Sequence, residues 1–351
     1  MDTTLNLEQI KRALVLGFIA DVPMAIVGRP GIGKSGIVYE VAEAPKVPYT
    51  MYDFNLSDKT PGDVGGIPVP RLTEKSLDFL MAKGLLPFDT DEKSILFLDE
   101  IDRAPIDTLQ LAQRIIRERQ VNGHKLSPNC RIVCAMNGTS DMYTNDLSES
   151  LRNRMCFLHA EAESQGALAA WLTWADEHGV SPMLQGFAKF NPNVWSTPPA
   201  NARSSKPVGE LAVPTPRSFT DYADKLLAAA DAVNFKTDDL LDAMVAGCVG
   251  KTAALVLMEY RRVYLTCPTI EQVVQTPDTA PLVDDPGVRF AFTLALTNAA
   301  EGKREVAAAV ARYGLRWADE DNAYLMQRLV EKEPTVITTP AYRTWSARSS
   351  Q

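Results

Sequence analysis

The sequence predicts an α/β domain built on a parallel sheet, followed by a region made of helices alone. Three observations carry that reading. Short runs rich in apolar residues, at Met24–Val27, Tyr49–Phe54, Ile95–Leu98, Arg131–Met136 and Met155–His159, alternate with helical periodicity through the first part of the chain. Ile95–Leu98 is apolar on successive residues, as a parallel strand covered on both faces must be. From Glu163 onward helical patterns continue without an obvious strand. The expected organisation is therefore an α/β domain over 1–162 and a helical region over 163–351, with a proline-rich connection at 191–216.

The elements can be justified in order. Asn6 with Gln9 three positions on resembles a capping box, and Leu7, Ile10, Leu14 and Phe18 recur at helical spacing, predicting a helix over 6–20. Met24–Val27 is a buried strand running into the glycine-rich segment Gly28–Gly36, with a helix from about Lys34 to Glu43. Residues 56–93 give no regular pattern, and Pro61, Gly62, Gly65, Gly66, Pro68 and Pro70 mark an irregular loop. Pro105 opens a helix whose Ile106, Leu109, Ala112 and Ile116 form one face. In the second half, helices are expected near 164–178, 181–190, 237–263, 287–312 and 317–332. Thr215 and Pro216 begin another that carries Phe219, Tyr222 and Leu226. The tail from Thr338 is expected to be loosely ordered.

Composition excludes several classes. A chain of 351 residues exceeds what one core usually serves, and 46% apolar with 23% charged residues is ordinary for a globular protein rather than a disordered one. No apolar run reaches the ~18–20 residues of a membrane span. The net charge of −8 argues against a globally basic nucleic-acid binder. Five cysteines without a C-x-x-C pair fit a reducing compartment, and Cys130 and Cys134 read as small core residues. Lys11 and Arg12 before Ala13–Ala20 imitate a signal peptide, but Asp2, Glu8 and Asp21 break the pattern. The expected address is the cytoplasm.

The chemistry is concentrated at strand ends. Gly28-Arg29-Pro30-Gly31-Ile32-Gly33-Lys34-Ser35 fits G-x-x-x-x-G-K-[ST] and sits between a strand and a helix. Glycines let backbone N–H groups crowd around phosphate oxygens, and the helix through Ser35 and Gly36 adds its positive end. Lys34 would reach the β- and γ-phosphates of ATP, and Ser35 would give a hydroxyl to Mg²⁺. Gly31-x-Gly33-x-x-Gly36 also fits a dinucleotide fingerprint, with Asp53 as its ribose acid, so a nicotinamide-dependent oxidoreductase is a remote alternative. Ile95–Leu98 ends in Asp99 and Glu100, where ligands of open α/β sheets bind. Asp99 suits Mg²⁺ and Glu100 suits polarising an attacking water. Asn137 follows the strand at 131–136 and could orient a water. Arg217 falls in a helix's first turn, where the dipole disfavours a cation, so an anionic ligand there would relieve it.

Taken together, GRPGIGKS, PGDVGGIPVP, ILFLDEIDRAP, CAMNG, LSESLRNRM and PTPRSF resemble, in order, the AAA+ ATPases of the MoxR-like, dynein-related branch that includes the CbbQ/NorQ type. The resemblance covers about residues 1–230. It implies a P-loop NTPase fold, an AAA+ core with an α-helical lid, and ATP hydrolysis with Mg²⁺. It makes Lys34 and Ser35 Walker A, Asp99 and Glu100 Walker B, Asn137 sensor 1 and Arg217 sensor 2. Arg154 matches the arginine finger that reaches a neighbouring subunit's ATP, with Arg152 as the fallback. Asn55 matches a residue that restrains Glu100. Gly138 stands where relatives often carry proline. The resemblance further implies a hexameric ring and a protein client or partner, often with a von Willebrand factor A domain. It also sets the 63–70 loop toward a central pore. A DNA-linked loader and a non-hydrolysing nucleotide-dependent scaffold are the alternatives.

Overall fold

The computed structural model describes residues 4–44, 48–137, 147–161, 165–195, 212–235 and 238–349. They fall into two compact units, 1–170 and 171–351. The first contains β1 (Thr4–Leu5), α1 (Leu7–Ala20), β2 (Met24–Val27), α2 (Lys34–Ala42), β3 (Thr50–Asn55), α3 (Pro61–Gly65), β4 (Ile67–Arg71) and β5 (Ser76–Leu80). It continues with β6 (Ser94–Asp99), α4 (Ile106–Glu118), β7 (Gln120–Val121), β8 (His124–Lys125), β9 (Cys130–Met136), α5 (Glu149–Arg152) and β10 (Cys156–Ala160).

Six strands make one sheet in the order β1-β10-β2-β9-β6-β3, every neighbouring pair parallel. The side-chain period of two divides β6 between two cores. Leu96 and Leu98 pack with Leu109, Ala112, Ile115 and Ile116 of α4. Ile95 and Phe97 pack with Ile10, Leu14 and Phe18 of α1 and Ile37, Val38 and Val41 of α2. Each such side chain contributes about 1.5–3 kcal/mol by leaving water. The α1 capping box forms as expected, with Gln9 N–H donating to Asn6 Oδ1 and Asn6 N–H to Gln9 Oε1, both 2.9 Å. Cys130 and Cys134 are buried free thiols, and burial pushes Cys134 up to about 12.

Three points differ from expectation within this unit. The stretch read as an irregular loop forms α3 and an antiparallel β4–β5 ribbon, with Ile67 opposite Leu80 and Arg71 opposite Ser76. Pro61 takes the first position of α3 behind a Thr60–Asp63 capping box. Pro68 and Pro70, two apart, both turn their missing N–H to the unpaired edge, the place a strand tolerates proline. Ile106 is left exposed at the tip of α4, and Ile115 takes its place in the apolar face. β1 was not foreseen, because two residues are too few for a pattern.

The second unit is helical: after α6 (Gln165–Glu177) come α7 (Pro182–Phe190), α8 (Pro192–Trp195), a π-helical segment Ser218–Asp224, and α9 (Lys225–Ala232). Then follow α10 (Asp238–Val249), α11 (Lys251–Tyr264), α12 (Ile270–Gln275), α13 (Pro286–Ala300), α14 (Arg304–Gly314), α15 (Asp319–Lys332) and α16 (Pro340–Ser349). Two long expected helices are each a pair. Gly250 and Gly302 adopt φ of +86° and +66°, which ends one helix and starts the next. The tail is also ordered: Thr339 and Pro340 begin α16, whose Ala341 is buried while Tyr342 and Trp345 pack on the core of α13, α14 and α15. No helix among the described residues is long and apolar enough to cross a membrane.

Candidate functional site

β2 lies inside the sheet between β10 and β9; from it the chain runs out to β3 at one edge, returns through β6 and β9, and then passes to β10 on the other side of β2. That reversal of strand order makes a crevice beyond the strand ends. Gly28 closes the end of β2, its N–H donating to Met136 O at 3.1 Å. A Cβ on Gly28 would lie 2.7 Å from Ile32 Cδ1 and 3.0 Å from Ala160 O, so the loop packs here without room for a side chain. Gly31 and Gly33 adopt φ of +78° and +98°, the left-handed region that glycine enters freely. Gly33 caps α2, which begins at Lys34 and directs its free N–H groups toward the loop. Within the loop Ile32 is buried, Arg29 half-buried and Pro30 exposed.

Lys34 is only 7% exposed, and its ammonium donates to Gly28 O at 2.6 Å, Arg29 O at 2.9 Å and Asn137 Oδ1 at 3.0 Å. Ser35 Oγ donates to Asp99 Oδ2 at 2.9 Å. The ends of β2, β9 and β6 are thereby joined through side chains at one sheet edge. The donor set fits Mg²⁺, a hard cation that takes one or two protein oxygens and completes its shell with phosphate oxygens and water. A hydroxyl already aligned on a carboxylate is that share.

Glu100 follows at φ +52°, its N–H donating to Asp99 Oδ1 at 2.8 Å. Its Oε1 accepts from Arg103 Nη1 at 3.2 Å. Asn55, opposite Asp99 on β3, is not bonded to Glu100 in this structure, and its Oδ1 accepts from Ser57 N–H and Oγ–H at 2.9 and 2.7 Å. Asp102 was not foreseen. It is fully buried, and its Oδ2 accepts the Asn137 N–H at 2.8 Å. An acid three residues past the end of β6, close behind Asp99 and Glu100, gives no hint of burial in the sequence.

Three expected arginines do not belong to this bonded set. Arg154 is exposed and lines a pocket of about 60 Å³ with Gln110, Gln113, Arg114, Arg117, Ser150 and Leu151, and with none of residues 28–36. Arg152 is exposed beside it in the chain. Arg217 belongs to the second unit, exposed in the first turn of a helix whose cap is Thr215, with Ser218 N–H donating to Thr215 Oγ1 at 3.1 Å. Gly138 lies outside the described residues, and so does Asp2.

The dinucleotide alternative loses its support. Its third glycine would allow close packing of helix on strand, yet a Cβ on Gly36 would meet nothing within 4 Å. The Asp53 carboxylate is engaged by the Tyr39 hydroxyl, whose pKa is pushed up to about 12 by burial and then by that bond.

A glycine loop with a buried ammonium, set between strand and helix at the reversal point of a parallel sheet, defines a P-loop nucleotide-binding domain. Residues 23–155 match the AAA domain of the dynein-related subfamily, which fits a nucleotide-binding domain of the AAA+ kind. No curated protein matches the chain. Among solved structures it is similar to two variants of RuvB from Thermotoga maritima, each at 16% identity with a TM-score of 0.41. The matches cover 78% and 77% of this chain and 77% and 75% of theirs.

Proposed function

We propose that the chain hydrolyses ATP as a subunit of a homo-oligomeric ring, and that the cycle remodels or assembles a partner protein. The observation that supports this most is the set of side-chain bonds joining Lys34, Ser35, Asp99 and Asn137 at the sheet edge. Residues Gly28 to Gly36 cradle the phosphates with backbone N–H groups, and Lys34 carries the positive charge among them. Ser35 and Asp99 hold Mg²⁺, which when bound supplies charge to the β- and γ-phosphate oxygens. Glu100 accepts the proton of the attacking water, and Asn137 orients that water. Arg154, exposed on the first unit, reaches the nucleotide of a neighbouring subunit. By the resemblance Arg217 is sensor 2, and an anionic ligand would offset its place at a helix start. The exposed β4–β5 ribbon, which takes up much of the 63–70 segment, meets the client in a central pore. A hexamer and a partner with a von Willebrand factor A domain follow from the MoxR-like resemblance, as does a cytoplasmic address.

The test is the particle mass by light scattering, with and without ATP and Mg²⁺, on Glu100→Gln to retain bound nucleotide. The expected result is a nucleotide-dependent shift from small species to about six subunits. A monomer under both conditions would remove Arg154 from the site and leave a scaffold or switch.

A further inference from the structure

Three helices of the second unit bring aromatic rings together at the surface: Phe190 ends α7, Phe290 lies near the start of α13, and Tyr324 belongs to α15. The Phe290 and Tyr324 rings are stacked with centres 5.4 Å apart, and the Phe190 ring is tilted against Phe290 at 6.1 Å. Lys189 lays its ammonium on this shelf, 3.7 Å from the centre of the Phe290 ring, 5.5 Å from Tyr324 and 5.9 Å from Phe190. A cation in the last turn of a helix is ordinary, because the carbonyl end of the dipole favours it. A cation set on three rings and left without an anion is not. Among the described residues no carboxylate lies within ion-pair distance of Lys189, and no oxygen accepts from its ammonium. Acids on the neighbouring elements are engaged elsewhere: Asp285 Oδ1 accepts the Val288 N–H, Asp321 pairs with Arg289, and Asp176 pairs with Arg328 and Lys332. Although Lys189 is an exposed residue, burial of its tip holds the amine below the ordinary lysine value.

We propose that Lys189 and its rings form a docking surface for a linear segment of a partner protein that presents a carboxylate beside an apolar side chain. An ammonium carries three donors, and ring faces attract its charge without taking up those hydrogen bonds. A glutamate or aspartate brought to Lys189 makes a charge-assisted bond where part of the water is already gone. Phe190, 46% exposed, offers apolar contact to the neighbouring side chain. The complement of an unanswered cation beside an exposed ring is therefore an anion on an apolar stem. A small molecule would be held in a concave pocket, whereas here an aromatic ring stands in water at the edge of a shelf. A nucleic-acid backbone would be met by a row of cations, whereas one lysine lies on these rings. Neither Lys189 nor the rings belong to the bonded set at the sheet edge, so this surface is independent of the roles of Glu100 and Asn137.

The experiment adds the acetylated, amidated peptide Gly-Leu-Glu-Trp-Gly to the full chain and reads binding by saturation-transfer NMR of the peptide. The same peptide with glutamine in place of glutamate, and a single-stranded thymidine oligonucleotide, are the comparisons. One charge pair with one apolar contact gives weak binding, a Kd of about 0.1–1 mM. The glutamine peptide on the native chain, and the glutamate peptide on Lys189→Gln, should each bind about fivefold more weakly or worse. Lys189→Arg should keep most of the affinity, and Phe190→Ser should lose about threefold. No transfer to the glutamate peptide at about 5 mM would overturn the surface. Equal affinity for the two peptides would overturn it, as would undiminished binding to a folded Lys189→Gln. An oligonucleotide bound more tightly than the peptide, and released by Lys189→Gln, would assign the surface to phosphate instead. If Lys189→Gln fails to fold, Phe190→Ser decides in its place: a loss there together with the preference for glutamate supports docking, and unchanged affinity overturns it.

Discussion

At the sheet edge, Lys34 is 7% exposed and its ammonium is bonded to two loop carbonyls and Asn137; on the β4–β5 ribbon, Leu72 is 85% exposed. One region buries a charge, and the other sets an apolar side chain in water. Both run against the ordinary partition of residues. The first resolves the cost internally, because the Lys34 ammonium finds three acceptors and the site is organised before a ligand arrives. The ribbon keeps its apolar side chains out, with Ile67 and Leu77 also more than 60% exposed. Two strands alone are marginal in water, so the ribbon depends on ties to its neighbours. His124 Nε2 lies 2.8 Å from Phe79 O, and Asn122 Nδ2 donates to Gly65 O at 2.8 Å at its base. The site at the strand ends is built by interior bonding, whereas the ribbon withholds its apolar side chains from the interior.

The largest effect should come from breaking the interior set. Lys34→Ala removes the ammonium on which three acceptors converge. Nucleotide affinity should fall by about 2–5 kcal/mol, or about thirtyfold to several thousandfold. Isothermal titration with a non-hydrolysable nucleotide measures it. A loss under tenfold would mean that the backbone N–H groups hold the phosphates without help.

What could be read from the sequence divides along the same line. Ile95–Leu98 announces a buried parallel strand because both of its faces are covered, and the loop spacing announces a phosphate cradle because Gly31 and Gly33 need backbone that other residues avoid. The ribbon was not legible. Its strands are short and mostly exposed on both faces, and Pro68 and Pro70 disguise β4 as a loop. The Thr339-Pro340 start of α16 repeats the Thr215-Pro216 signal and could have been found. The pairing of Glu100 with Arg103 could not, since it depends on Glu100 adopting a positive φ. Nor could the burial of Asp102, which depends on where β9 ends.

A smaller effect tests how the ribbon is held. His124 has acceptors at both ring nitrogens: Asp89 Oδ2 at Nδ1, 2.6 Å, and Phe79 O at Nε2, 2.8 Å. Only the imidazolium donates at both positions. Its pKa is raised from the ordinary 6.5, first by the bond to Asp89, next by Phe79 O, with Asp78 adding charge. Asp89 is correspondingly lowered by His124 and by the Lys125 N–H. A group with a higher pKa when folded gives its full stabilisation below the unfolded value and loses it as pH rises through the folded one. Asp89 loses its share only in acid, as pH falls below the ordinary carboxylate range. The tie is therefore strongest in mildly acidic solution and weakens above neutrality. With Asp89 about half exposed, it is worth about 1 kcal/mol or less. Ring-proton titration by NMR should place His124 above 6.5 in the native chain and return it toward 6.5 in Asp89→Asn. An unchanged value in that variant would remove Asp89 from the clamp.

The smallest effect is the most direct test of the contrast between the two regions. A leucine truncated inside a core costs about 2–5 kcal/mol, because it forfeits transfer from water and leaves a cavity. Leu72 and Leu77 have little to forfeit, since both are mostly in water in the folded chain and wholly in water in the unfolded one. Serine at either position should change unfolding free energy by no more than about 0.5 kcal/mol, measured by urea denaturation. Basal ATP turnover should be unaltered, because neither residue belongs to the bonded set at the sheet edge. A loss above about 1 kcal/mol would show that the ribbon is packed after all. Neutrality would leave a chain that carries large exposed apolar side chains from which its own fold gains nothing, the side chains that the proposed client contact would use.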